Sequence, residues 1–315
     1  MIEIIKSGTK IDFVSKRYLF VTASALLLAV CVFFIVNKGF NLGIDFIGGT
    51  VLQVRFTDTV KVDDIRDGLR PAIDGDFVIQ SLEKPNEVLV RIGGHGGVNL
   101  QSIESGVRTQ LEASFAEYSP KIERAEQIGP QVGKDLRRKA FLAVLYSVIG
   151  ILIYVAFRFE FMFAIGAIIS LVHDIAAVLG VYCIIGKEFN LTVMAAVLTV
   201  AGYSLNDTIV IFDRIREKVK TGKLGECTWK EIINMSINET LSRTVLTSVL
   251  TFIAVFSLYI FGGEVINGFA LVMMLGIIVG TYSSIGIAAI FIYFIRSRQD
   301  VMVKNLAPRR AGGMR

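Results

Sequence analysis

Ionisable side chains inside apolar runs are the residues of this chain that could do chemistry. The stretch GYSLNDTIVIFDRIRE, residues 202–217, continues the apolar LTVMAAVLTVA and carries Asn206 and Asp207. Tyr203 precedes the carboxylate by four residues and so shares its helical face. NETLSRT, residues 238–244, sets Arg243 at the head of another apolar run. His173 and Asp174 stand near the middle of a third, where Gly166, Ser170, Ala177 and Gly180 complete a stripe of small and polar residues that would face other helices. Charge at such depth is expensive, and these groups are therefore the first candidates for ion passage.

The chemistry expected of Asp207 and Arg243 is switching. In low dielectric, desolvation favours the neutral acid and a neighbouring guanidinium favours the carboxylate, so small movements of Arg243 would change whether Asp207 holds a proton. Their depths are compatible with pairing. The bland reading is a static ion pair that only joins two helices, but a buried pair is weak evidence of stabilisation. His173 reads equally well as a group that titrates near neutral pH when water reaches it and as a satisfied interhelical hydrogen bond. Asp213 and Arg214 mark the interface where their run leaves the membrane.

The elements that must position these groups follow from composition. Hydrophobic residues make up 53% of the 315 and mean hydropathy is +0.60, both beyond the range of soluble domains. Six runs are long enough to cross a bilayer, which takes about 20 residues: Leu19 to Val36, Ala140 to Phe157, Phe161 to Ile185, Leu191 to Phe212, Thr244 to Phe261 and Asn267 to Ile295. The first has a polar lead and no cleavage signature, so it reads as an anchor. Basic residues cluster in the N-terminal segment, at Arg158, between Asp213 and Arg243, and in the tail, whereas the opposite short loops hold only Lys187. By the positive-inside rule both termini are cytoplasmic. The expected division is 1–17 as an N-terminal segment, 18–36 as span one, 37–139 as an external domain with linker, 140–295 as spans two to six, and 296–315 as a tail. A polar loop at about 213–243 would carry an amphipathic surface helix through WKEIINMSINETLSR.

The external segment alternates and recurs. TVLQVRF reads as a half-buried strand, and Val62, Ile65, Leu69 and Ile73 fall at helical spacing. DFVIQSL and EVLVRI flank a turn, Leu100, Ile103, Val107, Leu111 and Phe115 mark a second helix, and KIERAEQI a closing strand. The order βαββαβ is that of a small ferredoxin-like α+β domain. GIDFIGGT, residues 43–50, supplies Gly43, Asp45, Phe46, Gly48 and Gly49 just before the first strand, and paired glycines there permit close backbone approach. GGHGG around His95 reads as a loop, because a lone histidine has no ligand partners at metal spacing. Cys31, Cys183 and Cys227 are unpaired in pattern. With no nucleophile beside a base, no nucleotide loop and no metal cluster in the string, no enzyme and no resident cofactor are expected.

GIDFIGGT, IGPQVGKDL at 128–136, the HD at 173–174, GYSLNDTIVIFDRIRE with its Gly202, and NETLSRT together resemble the SecD/SecF protein-export family of the RND superfamily, over nearly the whole chain and in its SecF branch. The resemblance implies half of an RND-type transporter in the bacterial inner membrane, with its soluble domain in the periplasm. It implies SecD as the partner that completes a twelve-helix unit, the SecYEG channel with YajC and YidC as further associates, unfolded preprotein as the substrate, and no nucleic acid. It also implies use of the proton motive force, with Asp207 and Arg243 in the proton path, H⁺ as the coupling ion and Na⁺ as the alternative. Two other readings stand beside it: a passive scaffold for SecD and the channel, and half of a small-molecule transporter, against which the short external segment argues.

Overall fold

The structure, a computed structural model, describes residues 9–73, 77–82, 84–93, 100–221 and 227–297. His95 and the tail beyond 297 lie outside the described residues. Runs this apolar must form helices, since only a helix satisfies every backbone group in hydrocarbon. They are α1 (Arg17–Lys38), α5 (Pro130–Arg158), α6 (Phe161–Ile185), α7 (Leu191–Lys220), α8 (Trp229–Phe261) and α9 (Glu264–Ser283). The last continues through a π-helical segment, Ser284–Ala289, and on to residue 297. Six helices are therefore long and apolar enough to span, and the chain is a multi-pass membrane protein.

Burial sorts them into two groups. In the most apolar stretch of α6, α7 and the last span, 50%, 56% and 56% of residues are buried, against 11% in α1, α5 and α8. The first three form the centre of the bundle and the others its flanks. Small residues set the closest approaches. A Cβ on Gly180 would lie 2.1 Å from that of Cys31 in α1, and one on Gly276 would lie 2.2 Å from Val200 in α7. Gly280, four residues on from Gly276, lies likewise against Ser204 of α7.

Between α1 and α5 stands the α+β domain. The short helix α2 (Ile44–Ile47) precedes β1 (Gly49–Arg55), α3 (Val62–Leu69), β2 (Phe77–Ser81), β3 (Glu87–Gly93), α4 (Leu100–Ser114) and β4 (Lys121–Ile128). The strands pair antiparallel in the order β2-β3-β1-β4, the ferredoxin-like arrangement expected from the sequence. Leu52 faces Val90 on one side and Ala125 on the other. Leu52, Val54, Ile65, Leu69, Val90, Val107 and Leu111 close a core between the sheet and its two helices. At the sheet's end Glu87 is buried and paired with Arg55 at 2.9 Å and Lys84 at 3.2 Å.

One sequence expectation fails. The segment 213–243 is not a loop carrying a surface helix. α7 runs on to Lys220, and Trp229, Ile232, Ile233 and Ile237 are the opening turns of α8, continuous with its span. A capping box at Thr228 and Glu231 starts that helix, and its polar side is occupied. Asn238 bonds the N–H and carbonyl of Ile11, while Asn234 accepts from the N–H groups of Phe13 and Val14 and donates to Asp12. Lys230 pairs with Asp12 at 2.8 Å, and with the Ser15 contacts it holds that carboxyl well below the usual carboxylate range. Amphipathicity signalled a polar face correctly, but the face binds the chain's own leading segment.

Two expectations follow. Gly276→Val, which drives a side chain into Val200, should destabilise the bundle by about 1–3 kcal/mol, read as a lower melting temperature of the purified chain in detergent. Burial works against the charge on Glu87, but hydrogen bonds from Lys84, Arg55 and Gln53 prevail and hold it below its ordinary 4.5. Its stabilisation is therefore complete above that value and fades as pH falls through the lower, folded-state one. Domain unfolding in Glu87→Gln should lose this part of its acid dependence, which a urea titration repeated across acidic pH would detect.

Candidate functional site

The site is organised by α7. Its first turn is held twice: Asn190, the N-cap, accepts from the N–H of Val193 at 3.0 Å, and Asp45 accepts from that of Leu191 at 2.9 Å. The second bond comes from outside the helix, from the GIDFIGGT segment. Phe46 beside it is buried and stacks on Phe189, with centroids 5.8 Å apart. Gly48 and Gly49 take φ of +78° and +143°, and a Cβ on Gly49 would press on the Ile92 carbonyl, so glycine is required for the chain to pass from α2 into β1. Gly43 lies against the Glu188 side chain, and Gly133 of the other motif against the backbone of Gly48 and Phe46. Arg91 of β3 makes an ion pair with Glu188. The motif residues therefore dock the α+β domain on the α6–α7 connection rather than merely turning the chain.

Asp207 lies near the middle of α7 and is 3% exposed. Among the described residues its carboxyl accepts one hydrogen bond, from the Ser248 hydroxyl of α8 at 3.4 Å, longer than a strong O–H···O bond. That hydroxyl also meets Thr281 of α9 at 2.8 Å and Tyr203 at 3.4 Å, so the expected shared face of Tyr203 and Asp207 converges on Ser248. A carboxyl group with one long hydrogen bond in an apolar bundle carries charge at high cost, and a proton removes that cost.

Arg243 departs from expectation. It is exposed on the flank of α8 and forms no ion pair with Asp207, although its charge reaches the carboxylate through space. The reason is helical phase: Thr240, Thr244 and Ser248 occupy the buried face of α8, which turns 243 outward. Asn206 is likewise exposed, with Gly202, and makes no hydrogen bond among the described residues. Asp213 pairs with Arg158 at 3.2 Å, both half exposed.

His173 and Asp174 are buried, at 4% and 0% exposure. Asp174 accepts from His173 Nδ1 at 2.9 Å, from Ser283 at 2.7 Å and from Ser204, and Ser170 donates to Ser283 at 3.0 Å. Sequence reading missed Ser204, Ser248, Thr281 and Ser283, because single hydroxyls in apolar helices have no spacing that separates them from ordinary packing. Among the described residues no cluster of acidic, histidine or cysteine side chains could hold a metal.

Comparison with known proteins bears on this arrangement. The family model described as "Protein export membrane protein SecD/SecF, C-terminal" matches residues 108–298, and that of the "SecD/SecF GG Motif" matches residues 33–60. The chain is 51% identical over 300 residues to the protein translocase subunit SecF of Calditerrivibrio nitroreducens, covering 94% of this chain and 97% of that protein. It is 43% identical over 289 residues to that of Magnetococcus marinus, covering 91% and 92%. The crystal structure of SecDF, a translocon-associated membrane protein from Thermus thermophilus, superposes with a TM-score of 0.82 at 37% identity. It covers 94% of this chain, which spans 40% of that one.

The docking bond gives a direct test. Asp45→Ala removes the acceptor for the Leu191 N–H and should lower stability by about 1 kcal/mol. Asp45→Asn, which keeps an acceptor oxygen, should recover most of it, as followed by thermal unfolding.

Proposed function

The chain belongs to the SecD/SecF protein-export family, and from that membership we propose that it is an accessory subunit of the Sec protein translocase that couples proton entry to preprotein export. The observation that carries the reading is Asp207, buried, poorly hydrogen bonded and without an ion-pair partner among the described residues, in the helix whose first turn is tied to the α+β domain by Asp45.

SecD is the partner in this reading. The flank of α7 exposes Ala195, Thr199, Gly202 and Asn206 at helical spacing, a surface of small and polar residues suited to close helix docking. Arg243 is exposed on α8, where a second six-helix half would cover it. A solved structure that the chain resembles is a SecDF chain of which it spans 40%, which supports a second half beside this one. The basic helix ends face the cytoplasm and the α+β domain the periplasm, where it works on preprotein leaving the SecYEG channel.

The mechanism is a two-state one. A proton on Asp207 removes the cost of its buried charge and its through-space attraction to Arg243, so α7 and α8 repack around Ser248. Protons move the equilibrium only because their affinity for Asp207 differs between the two packings. The α+β domain follows because Asp45, Phe46 and Arg91 attach it to the start of α7. Asp207→Asn should leave assembly with SecD intact and remove the response of preprotein export to the proton motive force, lowering export to that of membranes lacking the subunit. Export by inverted membrane vesicles, with and without an uncoupler and with Na⁺ replaced by K⁺, measures this. Normal uncoupler-sensitive export by the variant would leave only a scaffold, and dependence on Na⁺ would replace H⁺ as the ion.

A further inference from the structure

The His173–Asp174 pair lies outside the mechanism above and is built from four spans. Asp174 of α6 gathers donors from His173, from Ser204 of α7 and from Ser283 of α9. The ring of Tyr282, from α9, lies 6.3 Å from that of His173. Its hydroxyl meets Ser24 at 2.9 Å and donates to the Phe20 carbonyl at 2.8 Å, both in α1. Ser283 opens onto the π-helical segment, a distortion that recurs at functional sites. His173 also lines an apolar groove between α1, α6 and the last span, and its buried Nε2 has no hydrogen-bond partner.

Counting charge shows what this arrangement can do. Three donors into one carboxyl group describe the ionised acid beside a neutral imidazole, a net charge of −1 with no cationic side chain in contact among the described residues. The titratable groups around it are His173 on its own helix, Tyr282 on α9 and Asp207 on α7; α1 presents Ser24 and a backbone carbonyl. Ser204 and Asp207 are three residues apart on α7, so their Cβ atoms are about 5–6 Å apart. Asp174 is thus linked to Asp207 through Ser204 and one turn of α7, and carboxylates that share a low-dielectric interior resist being ionised together, so a proton on one weakens proton binding at the other.

We propose that His173 and Asp174 together form a second proton-binding site, coupled to Asp207 through α7. One proton from the aqueous phase adds to the pair and takes its charge from −1 to 0 without breaking a bond between heavy atoms. The proton arrives at Nε2, the ring atom left without a partner, giving imidazolium beside carboxylate or, where the Nδ1 proton then passes to Asp174, Nε2–H imidazole beside carboxylic acid. Loss of the proton returns Nε2 to a bare lone pair. The site senses α7 through Ser204 and reaches α1, the helix that leads into the α+β domain, through Tyr282. The coupling rests on Asp207 being protonatable, whereas the titration of the pair stands without it.

The chain has two histidines, so His95→Gln leaves His173 as the single imidazole. Nitrogen NMR of this full-length chain, labelled at histidine and held in phospholipid bilayers, should show Nε2 gaining hydrogen in one step as pH falls. Adding Asp207→Asn removes a like charge and should weaken proton binding by the pair about tenfold, one pH unit. Adding Asp174→Asn should abolish the step at its original position. An Nε2 whose state does not change wherever the protein stays folded overturns the site. A step at the same pH with and without Asp207 overturns the coupling, and neither result depends on the export assay.

Discussion

A carboxylate removed from water must be neutralised, hydrogen bonded or paired, and among the described residues Asp174 and Asp207 are buried in the apolar bundle without an arginine or lysine in contact. Around that constraint the central helices are arranged. The hydroxyls of Ser204, Ser248 and Ser283 reach the two acids from α7, α8 and α9, with Thr281 of α9 against Ser248, so the packing of three helices depends on the state of the acids. Asp174 is the better satisfied, with three donors, and Asp207 the worse, with one long contact. The difference ranks the two acids: Asp207 gains most from a proton or from a movement that brings a partner closer, while Asp174 shares its charge with three donors and with the imidazole beside it.

Much of the architecture is legible in the chain because hydrophobic length and period report it directly. Six long apolar runs give six spans, and the alternation of TVLQVRF against the helical spacing of Ile65 and Leu69 gives the βαββαβ order. Asp207, His173 and Asp174 are legible for the related reason that charge in an apolar run is conspicuous. What escapes is helical phase and long-range contact. Arg243 and Thr244 are adjacent in sequence, and only packing decides which of them is buried. Asp45 is one acid among many in a glycine-rich turn, and nothing local reveals that it bonds the N–H of Leu191, which is 146 residues away. The 213–243 segment failed for a similar reason: an amphipathic pattern shows that one face is polar without showing whether water or protein meets it.

The glycine-rich motif takes on a mechanical meaning once its contacts are known. Paired glycines at 48 and 49 let the chain turn directly from α2 into β1, which keeps the sheet close to the bundle. Asp45 and Phe46 then attach the same turn to the start of α7, and Arg91 attaches the next strand to Glu188. A domain held by one flexible linker would move independently of the helices beneath it. One held by a helix-capping bond, an aromatic stack and an ion pair at the same place must follow the end of α7.

The opposite end of the bundle supplies a second route. Glu239 of α8 binds Lys218 at 2.6 Å and Arg214 at 2.5 Å, both on α7, so the two helices are fastened together beyond the level of Asp207. The opening turns of α8 then carry Lys230, Asn234 and Asn238, each four residues after the last, and these hold residues 11–14, which lead directly into α1. α1 in turn leads to Gly43 and the domain. Asp207 thus sits in a closed mechanical loop: α7 to the domain through Asp45 in one direction, and α7 to α8, the N-terminal segment, α1 and the domain in the other. With both ends of α7 fastened, a change of state at its middle cannot be relieved by sliding the helix along its axis. It has to appear as rotation or bending, and both would turn the capped end and the domain attached to it.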